Sequence, residues 1–478
     1  MPKFLIKNVT NSSKFLRKNV TNSSKFLRKN VSIYLMNTVW TIMLRRKIID
    51  RLVEWKNDSD KKSLLIRGAR QVGKTFAVNE FAKNNYGTYI YLNFEEDPEL
   101  TTIFSGSRSV DTIMRNMSAY FPHIKFVPGD TLIFLDEIQN CPNARVAFKF
   151  FTIDGRYDVI GSGSLLGVRY KEVSSYPVGY EDIMDLNSLD FEEFLWAMDL
   201  KPDIIQYVRE CLKERKGIEE FILNRLNEYF RWYTIIGGMP KAVSVFKETN
   251  HFGKVLTVQK QIVNGYLDDI TKYATDVDKN KVRASFESIP SQLSKRNKKF
   301  VYADVEGRKD SRYDTYGSSL SWLYDAGIID FCYNLNEPVI PLLANRKLNI
   351  FKIYLKDTGL MVSMMENRLG ISLLNGDLFV NEGAIAENII AEMLRKNECE
   401  LNYFERKGTL EIDFVINQNG EAVALEVKSG NNRRAKSLNV VMKYYKIKGM
   451  MFENTNVYVD EKGIEHFPIF AAAFIGDL

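Results

Sequence analysis

Apolar positions follow two rhythms along this chain, and the changes of rhythm divide it. In the first half, short unbroken apolar runs alternate with amphipathic stretches. The apolar start of Ser63–Ala82, the stretches Thr88–Asp97 and Thr131–Glu137, and the segment from Tyr157 to Ser164 each read as strands. LIFL inside Thr131–Glu137 has no polar interruption, the pattern of a central strand buried on both faces. Strands alternating with helical stretches predict βαβ units, a parallel sheet and helices on both of its faces. From Leu189 (LDFEEFLWAMDL) the apolar spacing becomes three and four residues, which predicts helices. IIGGMPKAV (Ile235–Val243) interrupts them, and VLTVQKQIVNGYLDDITKYA resumes the pattern.

Beyond Lys281 the order changes again. A helix (VRASFESIPSQLS) leads to the basic turn KRNKK, a short segment, a second long helix (RYDTYGSSLSWLYDAG) and a β-pair formed by IIDFCYNLN and VIPLL. That is the order of a winged helix. FKIYLKDTGLMVSMM opens a last unit, which holds the amphipathic helix EGAIAENIIAEML and the paired strands EIDFVI and AVALEVKSG. The expected fold class is α/β. A P-loop parallel-sheet core spans 43–188, a helical lid or connector 189–280, a winged-helix-like unit 281–350 and a restriction-endonuclease-like α/β domain 351–478. A length of 478 residues, too great for one hydrophobic core, agrees with several units.

Two places carry chemistry. In the first, Gly68-Ala69-Arg70-Gln71-Val72-Gly73-Lys74-Thr75 joins a strand to a helix and fits GxxxxGK[ST]. Glycines let backbone N–H groups wrap phosphates, and the helix N-terminus adds a positive dipole. Lys74 is then placed for the β- and γ-phosphates of ATP, and the Thr75 hydroxyl for Mg²⁺. Asp136 and Glu137 end the apolar strand, one to hold Mg²⁺ through water and the other to polarise the attacking water. Ser162 or Ser164, at the end of the next strand, is either a γ-phosphate sensor or part of a plain turn. Arg145, Arg156 and Arg169 are available as γ-phosphate arginines, or for surface ion pairs.

In the second place, Glu387 lies on a helix, Asp413 on a strand, and Glu426 and Lys428 two apart on one face of the next strand. Asp413 and Glu426 could ligate one or two Mg²⁺, Glu387 could complete the shell, and Lys428 could position or activate water. The stretch Lys281–Arg312 holds nine basic residues (Lys281, Arg283, Lys295, Arg296, Lys298, Lys299, Arg308, Lys309, Arg312). Against them stand four acids (Glu287, Asp304, Glu306, Asp310), a net +5. Such a segment either contacts DNA phosphates or serves as a packing module.

Composition narrows the rest. Three isolated histidines and four scattered cysteines argue against zinc sites, histidine triads and a disulfide framework. A formal charge of +6 permits nucleic-acid contact without requiring it. The apolar stretch Ser32–Leu44 is too short to span a bilayer and lacks a cleavage site, so no membrane association and a cytoplasmic location are expected. Residues 4–14 and 15–25 form an 11-residue repeat that restarts at Phe26. Too short for a solenoid, it predicts an unstructured extension over 1–42 arising from a tandem duplication, with Met36 or Met43 as the start.

The motifs GARQVGKT, LIFLDEIQ, GSGSLLG, SSYPVG, LDFEEFLWA, GGMPKAV, FKIYLKDTGL, NEGAIAEN, EIDFVI and LEVKSG occur in this order. Together they resemble prokaryotic AAA-type P-loop ATPases that carry a C-terminal domain of unknown function with a PD-(D/E)xK nuclease-like core. The resemblance implies an ATPase with ATP and Mg²⁺ as cofactors, a winged helix and a nuclease-like domain. It leaves two functions open, an ATPase whose nucleotide state drives a DNA-acting nuclease domain, or an ATP-dependent switch or scaffold whose nuclease-like fold is inactive and serves in partner or DNA binding. Homo-oligomer assembly is an expectation by analogy with such cores.

Overall fold

The computed structural model describes residues 44–163, 179–273, 279–306, 313–365, 382–406, 410–428 and 435–478. The repeat-bearing segment 1–42, Ser164, Arg169, Arg308, Lys309 and Arg312 lie outside them. Five strands form an all-parallel sheet: β1 (Ser63–Arg67), β2 (Thr88–Asn93), β3 (Thr131–Asp136), β4 (Asp158–Gly163) and β5 (Glu181–Asp185). Their order is β2-β3-β4-β1-β5. Leu65, Ile133, Leu135 and Val159 face one core shared with Met117, Phe148 and Phe151 of the flanking helices. The alternate set, Leu64, Ile66, Leu132, Phe134 and Ile160, is equally buried, so both faces of the sheet are covered. Because β4 lies between β1 and β3, its end is wedged between the P-loop strand and the strand bearing Asp136.

Five helices follow: Phe191–Ala197, Pro202–Lys213, Glu220–Ile236, Pro240–Thr249 and Phe252–Tyr273. The first opens on a capping box, in which the Asp190 side chain accepts from Glu193 N while the Glu193 side chain accepts from Asp190 N. Gly237 ends the third helix, and Pro240 begins the fourth in its first turn, where a missing N–H costs nothing.

Helices Lys279–Leu293, Ala303–Glu306 and Tyr313–Asp325 precede the antiparallel pair β6 (Ile329–Leu335) and β7 (Arg346–Leu355). The partner of β6 is therefore not VIPLL. Pro338 and Pro341 cannot donate to a ladder, and the strand forms beyond them from the residues that start at Arg346. A boundary at residue 350 consequently cuts through β7. Nor is the pair a free wing, since the other edge of β6 carries β8 (Asn402–Arg406). Adding β9 (Leu410–Ile412) completes a four-stranded sheet in the order β7-β6-β8-β9.

One chain segment crosses from this sheet to the next. β9 pairs with β8, and after Asp413 the chain continues as β10 (Phe414–Gln418), which pairs with β11 (Glu421–Lys428). Asp413 thus stands at the corner between two sheets rather than inside one strand. β12 (Lys448–Glu453), β14 (Glu465–Pro468) and β13 (Tyr458–Val459) extend the second sheet in the order β10-β11-β12-β14-β13. No helix among the described residues is long and apolar enough to cross a membrane.

A buried polar knot ties the last unit to the first. On helix Glu382–Lys396, the Lys396 ammonium donates to Ser188 Oγ (2.9 Å), Leu189 O (2.8 Å), Tyr233 OH (3.0 Å) and Glu392 Oε1 (2.6 Å). The other oxygen of Glu392 accepts from Thr358 N and Thr358 Oγ1. Removing one partner of a buried pair strands the other charge and costs about 3–5 kcal/mol. Lys396→Met is expected to lower the urea unfolding free energy by that order, while Lys83→Met, at an exposed position, leaves it unchanged. Equal stability of the two variants would contradict the role assigned to the knot.

Candidate functional site

β1 is followed by the P-loop, whose turn needs left-handed backbone at Gln71 (φ 66°) and Gly73 (φ 95°). Gly73 adopts it without the steric cost a side chain would bring, and the helix Lys74–Asn85 starts directly after it. Asp136 is the hub of the site. Its Oδ2 accepts from Thr75 Oγ1 at 2.7 Å and from Tyr91 OH at 3.0 Å, and its Oδ1 accepts from Ser162 Oγ. Asn93 Nδ2 donates to Tyr91 OH at 3.0 Å, so side chains from β2, β3, β4 and the P-loop helix converge on one carboxylate.

Lys74 is buried, and its ammonium donates to Gly68 O (2.9 Å) and Ala69 O (2.8 Å). Burial pulls its pKa down to about 8, against the opposing pull of Glu137 and Asp136. Glu137 takes a left-handed backbone (φ 50°), and its Oε2 accepts from Gln139 Nε2 at 2.5 Å. Burial, and to a lesser degree the neighbouring Asp136, raises the Glu137 carboxyl above the ordinary carboxylate value. Thr75, Asp136 and Ser162 form an oxygen-rich set suited to a hard cation, so the residues present fit Mg²⁺ beside a triphosphate.

Elements from both sides of the P-loop in sequence close over it. Arg46 donates to Val72 O (2.9 Å) and Asn187 O (2.7 Å), and pairs with Glu193 at 3.2 Å. The Arg70 guanidinium pairs with Asp269 of helix Phe252–Tyr273, and Tyr266 OH on the same helix donates to Arg70 O at 3.4 Å. Gly327, left-handed at φ 74°, packs so closely on Ala69 that an added Cβ would lie 3.2 Å from its backbone nitrogen. Beside Gly68 and Ala69 opens a cavity of about 460 Å³, whose far wall includes Tyr324, Arg395 and Lys396.

Two of the three arginine candidates are already engaged. Arg145 is buried against Glu181, and Arg156 pairs with Asp111 and Asp154 at the surface. Part of the basic stretch is engaged in the same way. Arg283 pairs with Glu287, Lys295 with Asp304, Lys298 with Glu387 and Lys299 with Glu405. The four cysteines are free thiols, three of them buried.

The C-terminal acids also converge, but with lysines among them. Glu387 accepts from Lys298 Nζ, from Lys352 Nζ at 3.4 Å and from Tyr354 OH at 3.0 Å. Burial opposes its ionisation, yet Lys352 and then Lys298 outweigh burial and hold Glu387 below the ordinary carboxylate value. Asp413 Oδ2 accepts from Val427 N at 2.8 Å. Burial, then Glu387 and Glu426, push the Asp413 carboxyl well above the ordinary value. Lys428 Nζ donates to Glu426 Oε1, while the buried Glu426 Oε2 has no hydrogen-bond partner among the described residues. No group of three or more His, Cys, Asp or Glu among the described residues is gathered closely enough to hold a metal ion.

Residues 60–195 match the family model described as an AAA domain. This segment is an AAA-type P-loop ATPase domain. It is followed by two domains of unknown function, DUF8612 over 227–372 and DUF4143 over 382–471. No curated protein matched the sequence. Among solved structures, the Orc1 protein of Aeropyrum pernix in complex with DNA aligns at 12% identity, covering 71% of this chain and 94% of its own, with a TM-score of 0.29. A single-substitution form of Thermotoga maritima RuvB aligns at 15% identity over 60% of this chain and 89% of its own, with a TM-score of 0.27. TM-scores of this size do not establish a shared arrangement of domains.

Lys74 provides a test of the site in solution. With its pKa near 8 in the nucleotide-free protein, it is charged below that pH and loses its proton above it. Phosphates favour the ammonium, so binding ATP at about pH 9 should take up close to one proton, and at about pH 7 very little. Calorimetry in two buffers of different ionisation enthalpy measures this, and equal proton uptake at both pH values would contradict it.

Proposed function

We propose that this chain binds ATP with Mg²⁺ at the P-loop, hydrolyses it, and passes the nucleotide state to its C-terminal units. The observation that carries this reading is the convergence of Thr75, Tyr91 and Ser162 on Asp136 beside Lys74. Backbone N–H groups from Ala69 to Thr75 cradle the phosphates. Lys74 leaves its two carbonyl partners to meet the β- and γ-phosphates, exchanging neutral acceptors for anionic ones. Thr75 and Asp136 would hold Mg²⁺, which supplies charge neutralisation at the phosphates when bound. Glu137, poised beside Gln139, orients the attacking water and draws off its proton, and Ser162 reads the occupancy next to Asp136.

Transmission follows from what rests on the loop. Phosphate competes with Asp269 for Arg70, and movement of the loop reaches Tyr266 and Gly327 directly. Helices 279–293, 303–306 and 313–325 with the β6–β7 pair support a winged-helix reading of the unit that carries Gly327. Helix 382–396, strands β8, β9–β10 and β11, helix Lys436–Tyr445 and strand β12 support a nuclease-like reading of the last unit by their order, with Glu387 on the helix, Asp413 at the corner between β9 and β10, and Glu426 and Lys428 on β11. A second reading, a switch or scaffold whose nuclease-like fold is inactive, is favoured by the two lysines already bound to Glu387.

Steady-state ATP turnover tests the primary reading. Glu137→Gln should retain ATP binding while lowering turnover by about 100-fold or more, and Lys74→Ala should lose both. Turnover unchanged in the two variants would refute it.

A further inference from the structure

In a metal-dependent nuclease core, Glu387, Asp413 and Glu426 would share a divalent cation. As they stand here, they do not fit one. Both oxygens of Glu387 are committed, between them, to two ammonium groups and a phenol. Lys352 is 1% exposed and bridges Glu387 to Glu411 (3.2 Å), with its ammonium 4.8 Å from the centre of the Tyr403 ring. It sits on β7, opposite Cys332 of β6, and its contacts with Glu387 and Glu411 keep the buried ammonium inside the cluster. With Lys298 and Lys428, three ammonium groups already oppose the carboxylates, and a dication placed among them would meet their repulsion in a poorly solvated site.

The lysines also connect segments. Lys298 and Lys299 are adjacent in the turn after helix Lys279–Leu293. Lys298 reaches Glu387 and Gly383 O (3.2 Å) on helix Glu382–Lys396, and Lys299 reaches Glu405 on β8 (2.7 Å). Consecutive residues therefore grip two different elements of the C-terminal unit.

We propose that the Glu387–Asp413–Glu426 cluster is a metal-independent ionic clamp. In it Lys352 stands in place of the divalent cation, and Lys298 and Lys299 fasten the turn after helix Lys279–Leu293 to the C-terminal unit. The comparison with a nuclease rests on the reading of that unit given above; the clamp rests on the contacts alone. Its consequence is that the C-terminal unit performs no metal-dependent cleavage and instead fixes the position of the unit that touches the P-loop.

Mn²⁺ titration calorimetry and thermal unfolding of the full chain without nucleotide test this. We expect neither Mn²⁺ uptake nor a Mn²⁺-induced rise of Tm that depends on Asp413. Glu387→Gln, close in shape to the native side chain, should lower Tm by several degrees. Lys298→Met should cost clearly less in that background than in the wild type, because the two share a contact. Saturable Mn²⁺ binding that Asp413→Asn abolishes and Asp136→Asn leaves intact would overturn the clamp, as would strictly additive effects of Glu387→Gln and Lys298→Met. Neither outcome depends on whether Lys74→Ala affects ATP turnover, so failure of the clamp and failure of the ATPase reading remain distinguishable.

Discussion

Everything distinctive about this protein depends on where its P-loop sits. The loop is not open on its outer side: Arg46 holds Val72 O, helix Phe252–Tyr273 holds Arg70 by Asp269 and Tyr266, and the turn at Gly327 rests on Ala69. A phosphate-binding loop must expose N–H groups to an anion, and any change in its shape is felt by whatever packs against it. Two of those neighbours, helix Phe252–Tyr273 and the turn at Gly327, lie downstream of the ATPase domain, and Arg46 precedes it. The same downstream segments are tied back at a second point, where Lys396 is buried among Ser188, Leu189, Tyr233 and Glu392. Two attachments, one at the loop and one behind it, give the downstream segments the form of a lever held against the ATPase domain rather than of a tethered appendage.

Helix Glu382–Lys396 gives that lever a physical form. Its C-terminal part supplies Glu392, Arg395 and Lys396 to the knot and to the wall of the cavity beside Gly68. Glu387, little more than two turns earlier at 1.5 Å per residue, enters the lysine-rich cluster. A buried ionic cluster is weak support for stability as such, since replacing a whole network by apolar residues often costs nothing. Its value here is positional. Lys298, Lys299 and Lys352 come from two different segments, and their partners are satisfied only when these segments and the helix are in register.

Much of the ATPase half was legible in the sequence because its constraints are local. Strands covered on both faces leave unbroken apolar runs, the P-loop needs its glycines at fixed offsets, and Asp136 stands where a buried strand meets solvent. The edge strand β5 (EDIMD) was not legible, since an edge strand with one exposed face can be largely polar. The same holds for β7, whose polar first half hid it while Pro338 and Pro341 made VIPLL look like the end of a pair. Asp413 was found by residue type, but its place at a sheet corner depends on two different pairing partners. Arg46, Tyr91, Asp269 and Lys352 carry no local signal, and Lys298 stood out only as part of a basic run, with nothing to indicate Glu387 as its partner. Each acts on a partner 26 to 199 positions away in the chain, and no periodicity records such a meeting.

The central claim is that occupancy of the P-loop is felt by the segments resting on it. Amide hydrogen exchange of the full chain, with and without Mg-ATP, measures this directly. The account predicts altered protection in the peptides covering Tyr266–Ile270 and Tyr324–Ile328 as well as in the P-loop, and none of these changes in Lys74→Ala. Changes confined to Gly68–Phe76, with the two downstream segments unaffected, would contradict it.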